Sequence, residues 1–176
     1  MTYLTSDLHF GHANIIRHCN RPFASVEEMD NALIRNWNDT VTPKDDIYIL
    51  GDFTMRPAEE AHRYLTRLNG RKYFIRGNHD RFLDKFELYE SDFVWVKDYH
   101  RLIYEGQRIV MFHYPILEWD QLHRGAYHCY GHVHNNKVSR ERLAVLDNGR
   151  AFNVGVDVND YRPVSIKVIF KRVAVI

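Results

Sequence analysis

Apolar residues in this chain come in short runs cut off by polar ones, and the runs are of two kinds. Tyr3-Leu4-Thr5, Asp46 to Leu50, Lys72 to Ile75, Arg108 to Phe112 and Ala126 to Tyr130 are nearly continuous, as strands buried on both faces are. Amphipathic stretches from about Ala13 to Cys19, Ser25 to Trp37 and Pro57 to Leu68 predict helices. Ser25 with Glu28 three residues on is a capping-box pattern. The third helix opens on Pro57 and stops at Asn69-Gly70. Glu105-Gly106 signals a hairpin before the Arg108 strand, and Val164 to Val168 alternates as a half-exposed strand does. The first half therefore reads β-α-β-α-β, which predicts parallel strands covered by helices. The second half reads as strand after strand with short connections, which predicts antiparallel pairing. Together they predict a mixed α/β sandwich. No repeat, low-complexity tract or linker interrupts residues 1–176, which predicts one domain.

The residues that follow the apolar runs carry the candidate chemistry. The first run leads into Ser6-Asp7-Leu8-His9 and the second into Gly51-Asp52. The third leads into Gly77-Asn78-His79-Asp80, the fourth into His113, and the fifth into Gly131-His132-Val133-His134. An open α/β sheet builds its site beyond the carboxyl ends of its strands. Asp7 and His9 are two residues apart, as are His132 and His134, so in extended backbone each pair projects from one face. Gly51, Gly77 and Gly131 stand where a strand must bend, which glycine tolerates. Asp7, Asp52, Asn78, His9, His113, His132 and His134 are more donors than one metal ion needs. They suit two ions bridged by a shared carboxylate. A mixed N/O donor set without thiolates favours Mn, Fe, Zn, Co or Ni over Mg, with Mn as the first expectation.

Composition narrows the class. With 24 basic and 23 acidic residues the formal net charge is +1, which argues against coating long nucleic acid. Two cysteines, Cys19 and Cys129, make no disulfide framework, and a reducing, cytoplasmic setting is expected. No apolar run approaches the ~20 residues of a membrane span, and the N-terminus has no basic leader pattern.

The ordered set Asp-x-His, Gly-Asp, Gly-Asn-His-Asp, His and Gly-His-x-His, from Asp7 to His134, resembles the calcineurin-like metallophosphoesterase superfamily. The stretch Ser6-Asp7-Leu8-His9-Phe10-Gly11-His12 is similar to its small stand-alone bacterial and phage members. The resemblance implies a four-layer α/β/β/α sandwich with mixed sheets and a dinuclear centre. It implies that Asp7, His9 and His134 hold one ion, that Asn78, His113 and His132 hold the other, and that Asp52 bridges them. It implies that His79 contacts phosphate and leaving group rather than metal, and that Asp80 of the same block, grouped with it among the catalytic candidates, helps position that region. The second block continues as Phe53-Thr54-Met55-Arg56, without the further Asp and Gly of the protein phosphatases, so dephosphorylation of proteins is not expected.

The expected reaction is attack on phosphorus by a metal-activated hydroxide, with His79 protonating the departing oxygen. Around the site, His12 and Asn14 either line the substrate pocket or form the polar face of the first helix. Trp119 and His123 lie in the loop between two ligand-bearing strands, where Trp119 either stacks on a ring or packs against the domain. Such a rim, short of arginine forks, favours a small nucleotide-like phosphodiester over a phosphomonoester. A phosphomonoesterase, a nuclease for short nucleic acids and a non-catalytic scaffold of the same fold are the alternatives.

Overall fold

The computed structural model describes residues 1–88, 90–139 and 149–173. Two sheets pack face to face. The first has the order β4-β3-β2-β1-β9 and the second β5-β6-β7-β8. In the first, β1 (Thr2–Thr5), β2 (Asp46–Ile49), β3 (Arg71–Ile75) and β4 (Trp95–Lys97) run parallel, and β9 (Val164–Ser165) pairs antiparallel with β1. In the second, β5 (Tyr99–Tyr104) and β6 (Gln107–Phe112) form the hairpin that Glu105-Gly106 signals. There β7 (Tyr127–Tyr130) and β8 (Ala151–Asn153) continue parallel to β6.

Strand alternation decides which side chains enter which core layer. Leu4, Tyr48, Leu50 and Ile75 of the first sheet meet Ile109, Met111, Tyr127 and Cys129 of the second, forming the layer between the sheets. Their neighbours Tyr3, Ile47, Ile49 and Phe74 face the other way, onto helices α1 (Ala13–His18), α2 (Val26–Thr40) and α3 (Ala58–Leu65). α2 shows why this works. Ser25 Oγ accepts from the Glu28 amide at 3.1 Å and caps the helix, while the Glu28 carboxylate reaches the Ala24 amide at 2.7 Å. Met29, Leu33 and Trp37 then recur on one buried face. Each such side chain contributes ~1.5–3 kcal/mol by leaving water. The outer face of the second sheet is covered by the segment 115–126, where Val110, Trp119 and Ala126 form a third cluster. No helix among the described residues is long and apolar enough to cross a membrane.

Two expectations are corrected. Val164 to Val168 is not one strand: after two strand residues the chain turns into α4 (Ile166–Val173). Ile166 and Ile169 are buried at helical spacing, and that period prevails over the shorter alternation. The second sheet is also not mainly antiparallel. The connection from Phe112 to Tyr127 spans 14 residues, enough for a parallel crossover of a dozen or more.

Candidate metal centre

Because the central strands of both sheets run parallel within each sheet, their carboxyl ends deliver the polar residues to one edge. Backbone bonds stitch the loops together there. The Asp7 amide donates to the Gly51 carbonyl at 3.0 Å, the His9 amide to Asp52 at 3.0 Å, and the Gly131 amide to His113 at 2.9 Å. Gly131 is needed for space, since a Cβ there would lie 2.6 Å from Asp7 Oδ2. Gly51 is needed for its backbone, at φ +86°.

The paired residues converge by another route than extended backbone. Asp7, His9, Asp52, His132 and His134 all have left-handed φ, between 48° and 70°. Non-glycine residues visit this region rarely and at a cost of ~1–3 kcal/mol, and the strain gathers at functional sites. Here it turns each side chain away from its strand and into the shared edge.

Three groups of donors result among the described residues, and one of them, Cys19, His134 and Asp157, shares His134 with the first of the two that face the edge. Asp7, His9 and His134 bring one ligand atom each within 4.8 Å of one another, and so do Asp52, His113 and His132. Asn78 joins the second group: its Oδ1 lies 3.1 Å from His113 Nε2 and 3.0 Å from His132 Nδ1. Asp52 lies between the groups, with Oδ2 3.6 Å from His9 Nε2 and 3.5 Å from His113 Nε2. His113 is oriented by its Nδ1, 2.7 Å from the Leu50 carbonyl.

Electrostatics mark these residues. Burial pushes Asp7 up to about 6 despite the pull of His134 and His113. Burial holds His9 down to about 3, so its imidazole stays neutral. For Asp52 burial is outweighed by the hydrogen bond and charge of His113, and its carboxyl falls to about 2. For His134 burial is likewise outweighed, by a 2.7 Å contact between Nδ1 and Asp157 Oδ2, and the ring rises to about 10.

The donors fit divalent ions on an observation independent of motif. Both ring nitrogens of His9 are buried and have no hydrogen-bond partner among the described residues. A buried polar atom without a partner is costly, and a neutral imidazole with a free lone pair is a ligand in waiting. The set of imidazoles, carboxylates and one amide oxygen is one that can hold divalent metal ions.

The remaining expected site residues divide. His79 is half-buried, its ring 5.5 Å from that of His9, and its amide donates to Asp52 Oδ1 at 3.0 Å. His12 sits on the turn after His9, ring centroids 5.7 Å apart, with Nδ1 buried and unpartnered. Asn14 is exposed on the first turn of α1. Asp80 is buried and accepts from the amides of Asp52, Phe53 and Gly77 at 2.7–2.8 Å, so it locks two loops. Two expectations are corrected. Trp119 is buried beneath its loop and donates its indole N–H to the Ala126 carbonyl at 3.0 Å, so its ring packs against the sheet. His123 is exposed on the turn Leu122–Arg124, beside a depression lined by Glu118, Gln121 and Arg124 rather than by the convergent residues.

Sequence reasoning missed three neighbours of the site. Tyr114 lays its ring 4.5 Å from His132 and 4.9 Å from His113. Asp157 is bonded to His134, and buried Arg21 forks onto Asp157 at 2.8 and 2.9 Å. One signal was present: Asp157 stands in the apolar run Val154-Gly155-Val156-Asp157-Val158, where a buried carboxylate requires a partner.

Comparison with known proteins agrees with this geometry. Residues 2–158 match the model of the calcineurin-like phosphoesterase superfamily domain. The chain is 40% identical over 173 residues to "Uncharacterized protein MJ1445" of Methanocaldococcus jannaschii, covering 97% of this chain and 90% of that one. It is 30% identical to "Gene 66 protein" of Mycobacterium phage D29, covering 88% and 87%. A crystal structure of the protein of unknown function AQ665 from Aquifex aeolicus superposes with a TM-score of 0.75 at 28% identity, covering 97% and 98%.

Proposed function

The chain belongs to the calcineurin-like phosphoesterase superfamily and is a phosphoric ester hydrolase, and from that premise we propose a two-ion phosphodiesterase for small, nucleotide-like substrates. The observation that carries the two-ion reading is the place of Asp52, within 3.6 Å of a histidine from each donor group. In this reading Asp7, His9 and His134 would hold one divalent ion and Asn78, His113 and His132 the other, with Asp52 as the donor shared by both. Manganese is the first choice, with Fe, Zn, Ni or Co as substitutes of the same donor preference. Bound ions supply a nucleophile at neutral pH and neutralise charge on the phosphoryl oxygens.

The chain's own residues do the rest. Burial keeps His9 neutral and therefore able to ligate. Asp80 holds the Asp52 and Gly77 loops in register through three backbone bonds. His79, left without a ligand role, faces the site beside His9 and donates a proton to the departing oxygen. His12 next to it binds an equatorial phosphoryl oxygen. A phosphodiester is favoured because three arginines that could otherwise serve the site are occupied. Arg21 is committed to Asp157, Arg76 to Asp84, and Arg56 to Glu60 and the Gly11 carbonyl. A dianionic monoester would call for free guanidinium forks. Both cysteines are buried and free, which supports a reducing, cytoplasmic setting.

The test is hydrolysis of bis-p-nitrophenyl phosphate against p-nitrophenyl phosphate at one pH and one metal. The diester should give the higher kcat/KM. A tenfold preference for the monoester, ~1.4 kcal/mol in the transition state, would replace this reading with a phosphomonoesterase.

A further inference from the structure

Arg21 and Asp157 are separated by 136 residues and form an ion pair whose side chains are fully buried. The fork is bidentate, from Nε to Oδ1 at 2.8 Å and from Nη2 to Oδ2 at 2.9 Å. The rest of the guanidinium is spent on the backbone beside the first donor group. Nη2 donates to the Asp7 carbonyl at 2.7 Å and Nη1 to the Leu8 carbonyl at 2.9 Å. On the other side, Asp157 Oδ2 lies 2.7 Å from His134 Nδ1. One buried pair therefore reaches both the Asp7–His9 loop and His134, the two segments that supply the first donor group. The second group is held by other means: Asp80 locks the loops of Asp52 and Asn78, and the Leu50 carbonyl orients His113.

We propose that Asp157 and Arg21 are positioning residues that set the affinity of the first ion site alone, a proposal that rests on the two-ion reading above. The chemistry follows from donor inventory. An ionised carboxylate only accepts, so Nδ1 is the nitrogen that keeps its proton, and Nε2 is the one that gives up its proton to an incoming ion. That fixes the tautomer and ring orientation and makes Nε2 the ligating atom, as partners of metal-bound histidine commonly do. Arg21 fixes the Asp157 carboxylate in place through its fork and pins the carbonyls of Asp7 and Leu8, which holds the left-handed turn at Asp7, φ 59°. A histidine with a free Nδ1 could rotate or carry its proton on the wrong nitrogen, and each ion bound would first have to correct that.

The experiment is calorimetric titration of Mn²⁺ into the full metal-stripped chain, as wild type and as Asp157→Ala, Asp157→Asn and Arg21→Lys. Wild type should take two ions. Asp157→Ala should lose affinity at one site by ~10–100-fold, the usual effect of removing such a partner, with the other site within about threefold. Asp157→Asn should lose less, because its amide oxygen still accepts from Nδ1. Arg21→Lys keeps the charge without the fork and should weaken the same single site. Should Asp157→Ala fail to fold by circular dichroism, the asparagine and lysine variants carry the comparison. Equal loss at both sites, or unchanged affinity at both, overturns the proposal while leaving the two-ion reading intact. A wild type that binds no Mn²⁺ overturns both.

Discussion

Gly51→Ala tests whether the edge of the sheets is as tightly built as the geometry requires. At φ +86° an alanine is strained by ~1–2 kcal/mol, whatever surrounds it. Its Cβ would also lie 2.5 Å from His113 Nδ1 and 2.7 Å from the Gly77 backbone nitrogen and Cα. The Gly77 contact is backbone and cannot swing aside, and His113 is held by the Leu50 carbonyl. Overpacking of this kind adds ~1–3 kcal/mol, for a total of about 2–5 kcal/mol. Gly106→Ala is the control: its φ is +79°, yet a Cβ there would meet nothing within 4 Å, so it carries the strain without the clash. Thermal unfolding of the two metal-stripped variants, followed by circular dichroism, separates the terms. At ~2–4 °C per kcal/mol for a chain of this size, Gly51→Ala should lower Tm by about 4–20 °C and Gly106→Ala by a few degrees. Metal-free protein is required because bound ions add their own stabilisation. Because His113 must move, Gly51→Ala should also weaken metal binding at the second donor group. Equal Tm shifts for the two variants would refute the reasoning.

His79→Ala should retain metal content and fold while turnover falls by ~10²–10⁴, with a smaller loss for substrates whose leaving groups need no proton; loss of metal would show His79 to be a ligand. Asp52→Ala removes the residue between the two donor groups and should lower bound metal at both, read by elemental analysis; loss of a single ion per chain would deny the bridge. His128, buried under Trp119, is held down to about 4 by burial. It stays neutral in the fold while the unfolded chain protonates near 6.5. Its stabilisation is therefore complete above pH 6.5 and lost as pH falls from 6.5 to 4, by about 3 kcal/mol. His128→Phe should flatten that part of the stability profile measured by urea unfolding, and an unchanged slope would reject the assignment.

Much of the centre was legible because each donor directly follows an apolar run. A strand of four or five residues ending in Asp, Asn or His states both where the backbone goes and what it carries. Asp7, Asp52, Asn78, His113, His132 and His134 become candidates that way, and His9 by its spacing from Asp7, and the fold brings them to one edge. The way the pairs converge was not legible. Extended backbone would aim residues two apart at one point, but Asp7, His9, His132 and His134 do it through left-handed φ, which local pattern does not announce. Trp119 and His123 were drawn to the site by their loop, and the sheet beneath that loop claimed Trp119 instead. Arg21 and Asp157 lie 136 residues apart, and only the completed fold brings them together. The misread end of the chain has a local cause. Val164 to Val168 alternates over five residues, but Ile166 and Ile169 set a helical period that becomes visible only over a longer window.

The central claim is that the convergent Asp, Asn and His residues form a metal centre that cleaves phosphoesters. Its most direct test titrates Mn²⁺ into metal-stripped protein while hydrolysis of bis-p-nitrophenyl phosphate is recorded at each step. The account predicts negligible hydrolysis without metal and a rise that saturates near two ions per chain. Hydrolysis that persists in the stripped protein, or none with two ions bound on either the diester or p-nitrophenyl phosphate, would contradict it.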